Sequence, residues 1–348
     1  MPKDRITLGH GSGGKLSHDL IESLFLPPFI NPILQASDDS AVFPLTDSDR
    51  THQGRQLSKD EIAFTTDSYV VKPISWPGGD IGRLAVCGTV NDLAMVGAIP
   101  LYLSAAFVIE EGLPISTLRR IVTSMRRAAK EAGVKIVAGD TKVVERGSAD
   151  GLFINTAGVG MLPEGVKVSG NNAQPGDVII LSGTIGDHGI AVLSAREGLA
   201  FSNNFKSDVA PLNHMVGAML RTSAKIHAMR DPTRGGLATT LNEIAQQSKV
   251  GIRIVEEQIP IREEVAAACE ILGYDPLYVA NEGKVVTCVA PEDAERVVKV
   301  MRKTLYGHQA TIIGEVLPEP RARVVMKTRV GGTRIVDMMV GEMLPRIC

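Results

Sequence analysis

The stretch DIGRLAVCGTVNDLAMVGAIP, Asp80 to Pro100, decides the fold. Asp80 is a good helix cap, and between Arg83 and Gly97 the only charge is Asp92. The spacing predicts a helix from an Asp80 cap to Gly97, apolar on nearly every side and therefore buried. Short apolar runs bounded by Gly, Asp or Pro surround it: EIAFTT from Glu61, LYLSAAFVI from Leu101, VKIVAG from Val134 and LFINTAGVGML from Leu152. Each reads as a strand. ISTLRRIVTSMRRAAKEAG, Ile115 to Gly133, reads as an amphipathic helix with Ser116 as cap. Leu118, Ile121, Val122, Met125, Ala128 and Ala129 share its apolar face, and Gly133 ends it.

The second half repeats the mixed pattern. DVIILS, GIRIVEE, GKVVTCVA, ATIIGEV, ARVVMKT and TRIVDMM read as strands, the last two joined by a Gly-Gly turn. RGGLATTLNEIAQQS, IREEVAAACEILG and PEDAERVVKVMRKTL read as helices, the last opened by a proline in its first turn. Between the halves, SGNNAQPGD (Ser169 to Asp177) is small, polar and turn-rich, and is the best boundary. The expected division is a glycine-rich arm over 1–40, α/β domains over 41–168 and 169–340, and a tail over 341–348.

A chain of 348 residues is long enough for two cores. Its net charge of −2 gives no basic footprint for nucleic acid or a membrane surface. With no charged-then-apolar leader and no apolar run of spanning length, a cytoplasmic protein is expected. The four cysteines form no CxxC, which argues against a zinc site or a disulfide framework. Cys87, Cys269 and Cys288 sit among apolar neighbours and read as buried. Cys348 is the last residue, in PRIC, so it does not fit a prenylation signal. It is either an accident of an unconstrained end or a thiol on a mobile arm.

The start, ITLGHGSGGKLSHDL, fits both GxGxxG and GxxxxGK, but Leu16 follows the lysine where a P-loop needs Ser or Thr. What remains is a run of small residues whose N–H groups can cradle phosphate, with His10 and Lys15 able to reach an anion, or else a flexible arm. More informative are aspartates beside apolar runs or glycines: Asp38 and Asp39, Asp67, Asp92 and Asp140. Singly each reads as a turn former or cap, although Asp92, inside an apolar helix, needs a partner. Converging on one cleft, they suit a Mg–nucleotide site. Lys142, two residues beyond Asp140 on an extended segment, points to the same side as that aspartate. In RDPTRGGL, Asp231 or Thr233 can cap a helix whose N-terminus makes an anion site beside Arg234. Glu282, in ANEGK, is a surface glutamate by default, or a base if set in a partly apolar cleft.

Taken in order, GHGSGGKL, FTTDSYVVKP, GTVNDLAMVGAIP, VAGDTKVVERG, GTIGDHG, DPTRGGL, ANEGK and the terminal PRIC resemble the PurM-like (AIR synthase-related) superfamily. Within it the chain is similar to the HypE family of carbamoyl dehydratases. The resemblance spans essentially the whole chain. It implies a mixed-sheet N-terminal ATP-binding domain, a ferredoxin-like C-terminal domain and a mobile tail. It also implies that a carbamoyltransferase, HypF, loads a carbamoyl group onto Cys348. An ATP-dependent step then dehydrates the thiocarboxamide to a thiocyanate, and the cyanide passes to iron on a HypC–HypD complex for [NiFe]-hydrogenase. A homodimer is the family expectation. For residues, it implies metal binding by Asp39, Asp67, Asp92 and Asp140. Nucleotide contacts fall to His10, Lys15, Asp67, Asn91, Thr141 and Arg234, and catalysis to Cys348, Lys142 and Glu282, the last as base. A free-substrate synthetase of the same superfamily leaves Cys348 without a role, and in a non-catalytic scaffold or cyanide carrier the ending PRIC would be a docking handle.

Overall fold

The computed structural model describes residues 14–20, 22–23, 40–44, 51–52, 55–56, 61–198, 205–223 and 225–339. His10, Asp39 and Cys348 lie outside the described residues. A short helix, α1 (Lys15–Leu20), comes first. The first half is built on a five-stranded sheet of β1 (Ala41–Pro44), β4 (Glu61–Tyr69), β7 (Ile99–Glu110), β8 (Lys135–Val144) and β9 (Leu152–Met161), in the order β1-β4-β9-β7-β8. Two small ribbons, β2 (Thr51–His52) with β3 (Arg55–Gln56) and β5 (Ser75–Trp76) with β6 (Gly79–Asp80), stand beside it. Pairing is antiparallel except for β7 with β8, which are parallel and joined by a helix, as a parallel crossover requires.

The helix expected from Asp80 is α2 (Ile81–Met95), and the Asp80 carboxylate accepts the Arg83 N–H at 2.9 Å. Thirteen of its residues are buried. Tyr69, Leu84, Val90, Leu103, Ile121, Met125 and Ile154 form the core between α2, the crossover helix α3 (Ile115–Ala132) and one face of the sheet. Each such side chain contributes about 1.5–3 kcal/mol on burial. Gly133 ends α3 in the left-handed conformation, as expected. The start differs: Pro114 is the cap position, so Ser116 falls inside the first turn.

The second half is a seven-stranded sheet of β10 (Val178–Leu181), β11 (Ile226–Arg230), β12 (Gly251–Val255), β13 (Val286–Val289), β14 (Thr311–Leu317), β15 (Arg323–Lys327) and β16 (Thr333–Val336), ordered β11-β13-β10-β14-β12-β15-β16. Its helices are α4 (Asp187–Glu197), α5 (Asn213–Thr222), α6 (Gly236–Ser248), α7 (Glu263–Leu272) and α8 (Pro291–Met301). α6 packs through Leu237, Leu241 and Ile244 onto Ile252 and Ile254. α5 and α8 cover the sheet elsewhere through Met215, Val297 and Met301, and Ala94 and Met95 of α2 join that same cluster. The two halves are therefore welded by shared core. Neither Asp231 nor Thr233 caps α6; Gly235, left-handed, holds that position, because two successive positive-φ glycines delay the helix start. Cys87, Cys269 and Cys288 are buried free thiols. No helix among the described residues is long and apolar enough to cross a membrane.

Candidate active site

Where α2 meets the second half, Asp67, Ser68, Gly88, Asp92, Asp231, Thr233, Arg234 and Glu282 line one small polar pocket. Asp67 comes from β4 and Asp92 from α2, while Asp231 follows β11 and Glu282 precedes β13. The Asp92 Oδ2 accepts the Thr65 hydroxyl at 2.9 Å, which gives the charge inside an apolar helix its partner. Asp67 accepts the Ser68 N–H at 2.7 Å. Burial pushes the Asp67 carboxyl above the ordinary carboxylate range, with the Arg234 guanidinium opposing it. Glu282 is pushed up further. It is 3% exposed, and burial is reinforced by the carboxylates of Asp231, Asp208 and Asp67, against Arg234. A carboxyl so placed binds a proton readily, as a general base must.

The loop Asn281–Lys284 is locked residue by residue. Asn281 Oδ1 accepts the Gly186 N–H at 2.7 Å, and its Nδ2 donates to Pro232 O at 2.9 Å. The Glu282 N–H donates to Asp208 at 3.0 Å, and Lys284 donates to the same carboxylate at 2.8 Å. Asn91, expected at the nucleotide, is buried beside this loop. Its Oδ1 accepts the Leu212 N–H at 2.8 Å, and its Nδ2 donates to Ala210 O at 3.1 Å. Its amide thus stitches α2 to the chain that enters α5.

Asp140, Thr141 and Lys142 lie elsewhere. Across the sheet Asp67 aligns with Thr156, Ala105 and Gly139, on the face that carries α2. Asp140 aligns with Ala106, Asn155 and Ser68, and so points from the opposite face at the far edge. There Lys142 Nζ donates to Asp140 at 2.7 and 2.8 Å, as the extended spacing requires. That hydrogen bond, with the Thr141 N–H, holds Asp140 below the usual carboxylate range in an otherwise solvated setting. Lys15 does not line the pocket either: its N–H donates to Met339 O at 3.0 Å and its side chain is exposed. Asp231 is an acid of the pocket that the sequence reading does not place there, and Asp208, outside the lining, backs Glu282 by accepting its N–H. Asp231 was read only as a cap, and Asp208 has no local signal.

The model of the AIR synthase related protein N-terminal domain matches residues 37–162, and that of the C-terminal domain matches residues 174–327. Carbamoyl dehydratase HypE of Rhizobium leguminosarum bv. viciae is 53% identical over 345 residues, covering 99% of this chain and 95% of the relative. The chain belongs to the HypE family. Its Escherichia coli K12 relative, also named carbamoyl dehydratase HypE, is 44% identical, with 99% of this chain and 100% of the relative covered. A crystal structure of HypE in complex with ATP is 48% identical, with a TM-score of 0.81 over 99% of this chain and 100% of that one. HypE in a HypE–HypF complex is 52% identical, with a TM-score of 0.84 over 92% of this chain and 99% of that one. The fold is thus the PurM-like one that the motifs imply.

Within the pocket, Asp67 and Asp92 supply hard oxygen donors, Asp231 stands close by, and Arg234 adds positive charge. No three His, Cys, Asp or Glu side chains among the described residues form a ready-made metal cage. Mg²⁺ is commonly held by one or two carboxylates plus substrate phosphates, and this donor set fits that mode.

Proposed function

We propose that this chain is an ATP-dependent carbamoyl dehydratase that converts a thiocarboxamide on its own Cys348 to a thiocyanate, supplying cyanide for hydrogenase iron. The observation that carries the reading is Glu282, a buried carboxyl of raised proton affinity among Asp67, Asp92, Asp231 and Arg234. It stands in a chain similar along almost its whole length to carbamoyl dehydratases.

An amide oxygen leaves poorly, so ATP, with Mg²⁺, supplies the activation by phosphorylating it. The chain's own residues then have separate tasks. Asp67 and Asp92 bind the metal, and Asp39 and Asp140 are further candidates for that role. Arg234 orients a phosphate by its charge and its donors. The Glu282 carboxylate takes the amide N–H proton as phosphate departs. Lys142 and Thr141, on the edge strand away from this pocket, would serve the site of a second copy, Lys142 stabilising developing negative charge on oxygen and Thr141 contacting the nucleotide, with His10 and Lys15 as further nucleotide contacts. Attachment to the chain's own end presents the amide at a concentration set by tail length rather than by diffusion.

HypF is the carbamoyl donor in this reading, HypC–HypD the acceptor of cyanide, and the cytoplasm the compartment. The unit is a homodimer. All of β8 is exposed apart from half-buried Val144, and Val137 and Val143 are 61% and 68% exposed. Phe64, Tyr102 and Val108 are exposed on the face of the same sheet opposite α2 and α3. A long apolar edge beside an open face invites covering by a second copy. Asp140 and Lys142 would then be enclosed.

Phosphate release by carbamoylated protein, compared between wild type and Cys348→Ser, tests the reaction. ATP turnover that requires Cys348 is expected. A scaffold would show none, and a free-substrate synthetase would turn over equally in both.

A further inference from the structure

Residues 205–212 cross the molecule as a strap between the α2 side and the Asn281–Lys284 loop. Ser207 N–H donates to Pro77 O at 2.8 Å, and Ser207 Oγ lies 2.8 Å from His188 Nδ1. Arg83 Nε donates to Val209 O at 2.9 Å, and Asn91 holds both Ala210 and Leu212. The strap therefore has a fixed place before it meets Glu282.

Its meeting with that loop is unusually close. Asp208 Oδ1 takes the Glu282 N–H at 3.0 Å, and Ala210 N–H donates back to Glu282 O at 3.3 Å. The main chain of Glu282 is thus gripped on both its polar groups. Asp208 Oδ2 takes Lys284 Nζ at 2.8 Å, with both side chains nearly buried. A Cβ at Gly283 would stand 1.9 Å from Asp208 O, so only glycine permits the approach. Burial alone would raise the Asp208 carboxyl. Lys284, then His188 and the hydrogen bonds, outweigh burial and hold it below its ordinary value. The bond to the Glu282 N–H is therefore charge-assisted, the stronger kind.

We propose that Asp208 is a positioning residue: it fixes the Glu282 peptide so that the carboxylate is held aimed into the pocket. This rests on the reading of Glu282 as the base. Asp208 does not line the pocket, so its effect on the reaction runs through Glu282.

A double-mutant cycle separates this from a buried ion pair that merely stabilises the fold, because residues acting through one another are non-additive. Protein carbamoylated on Cys348 is mixed with Mg–ATP, and the single-turnover dehydration rate is followed for wild type, Asp208→Ala, Glu282→Gln and the double variant. Asp208→Ala is expected to slow the step about tenfold or more, the scale of a misplaced catalytic group, while ATP affinity stays within about twofold. In the Glu282→Gln background it is expected to cost nothing further. Asp208→Asn, isosteric and still able to accept the Glu282 N–H, is expected to recover most of the rate; should the alanine variant not fold, Asp208→Ser, too short to reach that N–H, reads the same cycle. Equal fold-losses in both backgrounds, or an unchanged rate in Asp208→Ala, would overturn the proposal. A wild-type rate in Glu282→Gln would instead remove the base reading on which it stands.

Discussion

Two groups of acids, alike in sequence, end in opposite physical settings. Asp67, Asp92 and Glu282 come from both halves of the fold and are gathered in a pocket where burial raises the proton affinity of Asp67 and Glu282. Asp140 sits on an exposed edge strand, its pKa held down by its own near neighbour Lys142. The first group is completed by tertiary structure, and its unusual chemistry follows from desolvation. The second is an open surface pair, worth little by itself, and gains chemical leverage only when something covers it. An acid following an apolar run thus marks a place in the sheet, and the layer above decides what the acid can do.

The sharpest break in that comparison is Glu282→Gln. Loss of a general base costs about 10²–10⁴-fold, so dehydration in a single turnover should nearly vanish while ATP still binds, as calorimetry would measure. A smaller loss than tenfold would put the buried group on a par with the exposed one.

Next in size is the edge strand. Val137→Asp places a charge at an exposed apolar position of β8 and should convert the proposed dimer to a monomer, read by light scattering. If a second copy encloses Asp140 and Lys142, then Lys142→Ala should slow the dimer but add nothing to the monomeric variant. Equal effects in both would return Lys142 to its own protomer.

A milder change tests the pocket wall. Thr65→Val removes the hydroxyl that donates to Asp92 at 2.9 Å, and should cost about 1 kcal/mol in denaturant unfolding. Weaker ATP-dependent metal binding should accompany it.

The smallest effect lies at α1. His18 Nε2 is 3.2 Å from Glu243, and the hydrogen bond to that carboxylate raises its pKa, against burial and Arg230. A raised histidine stabilises the fold below its unfolded value and loses that contribution as pH rises through its folded value. His18→Gln should therefore melt lower than wild type at pH well below the ordinary histidine range, and the gap should close as pH climbs past it. Salt should shrink it further, since the side chain is 37% exposed.

Much of the scaffold was legible locally. The Asp80 cap, the all-round apolar α2, the Gly133 stop and the Pro291 start are short-range signals, and all are present as read. The helices α4 and α5 were not foreseen. Asp187 to Leu193 of α4 are all buried, so no polar face marks a helical period. The start of α6 was misread because two left-handed glycines, invisible as such in sequence, follow the expected caps. Within the site, Asp92 announced itself by needing a partner. Asp208 could not, since its partners Glu282 and Lys284 lie 74 and 76 residues away along the chain. The opposite faces of Asp67 and Asp140 depend on sheet register, which strand lengths alone do not fix.

The most direct test of the whole account is mass spectrometry of the C-terminal peptide from protein carbamoylated at Cys348, taken before and after Mg–ATP. The account predicts loss of one water at Cys348 that requires ATP and is abolished in Glu282→Gln. A carbamoyl group left intact after ATP, in protein shown to bind the nucleotide, would contradict it.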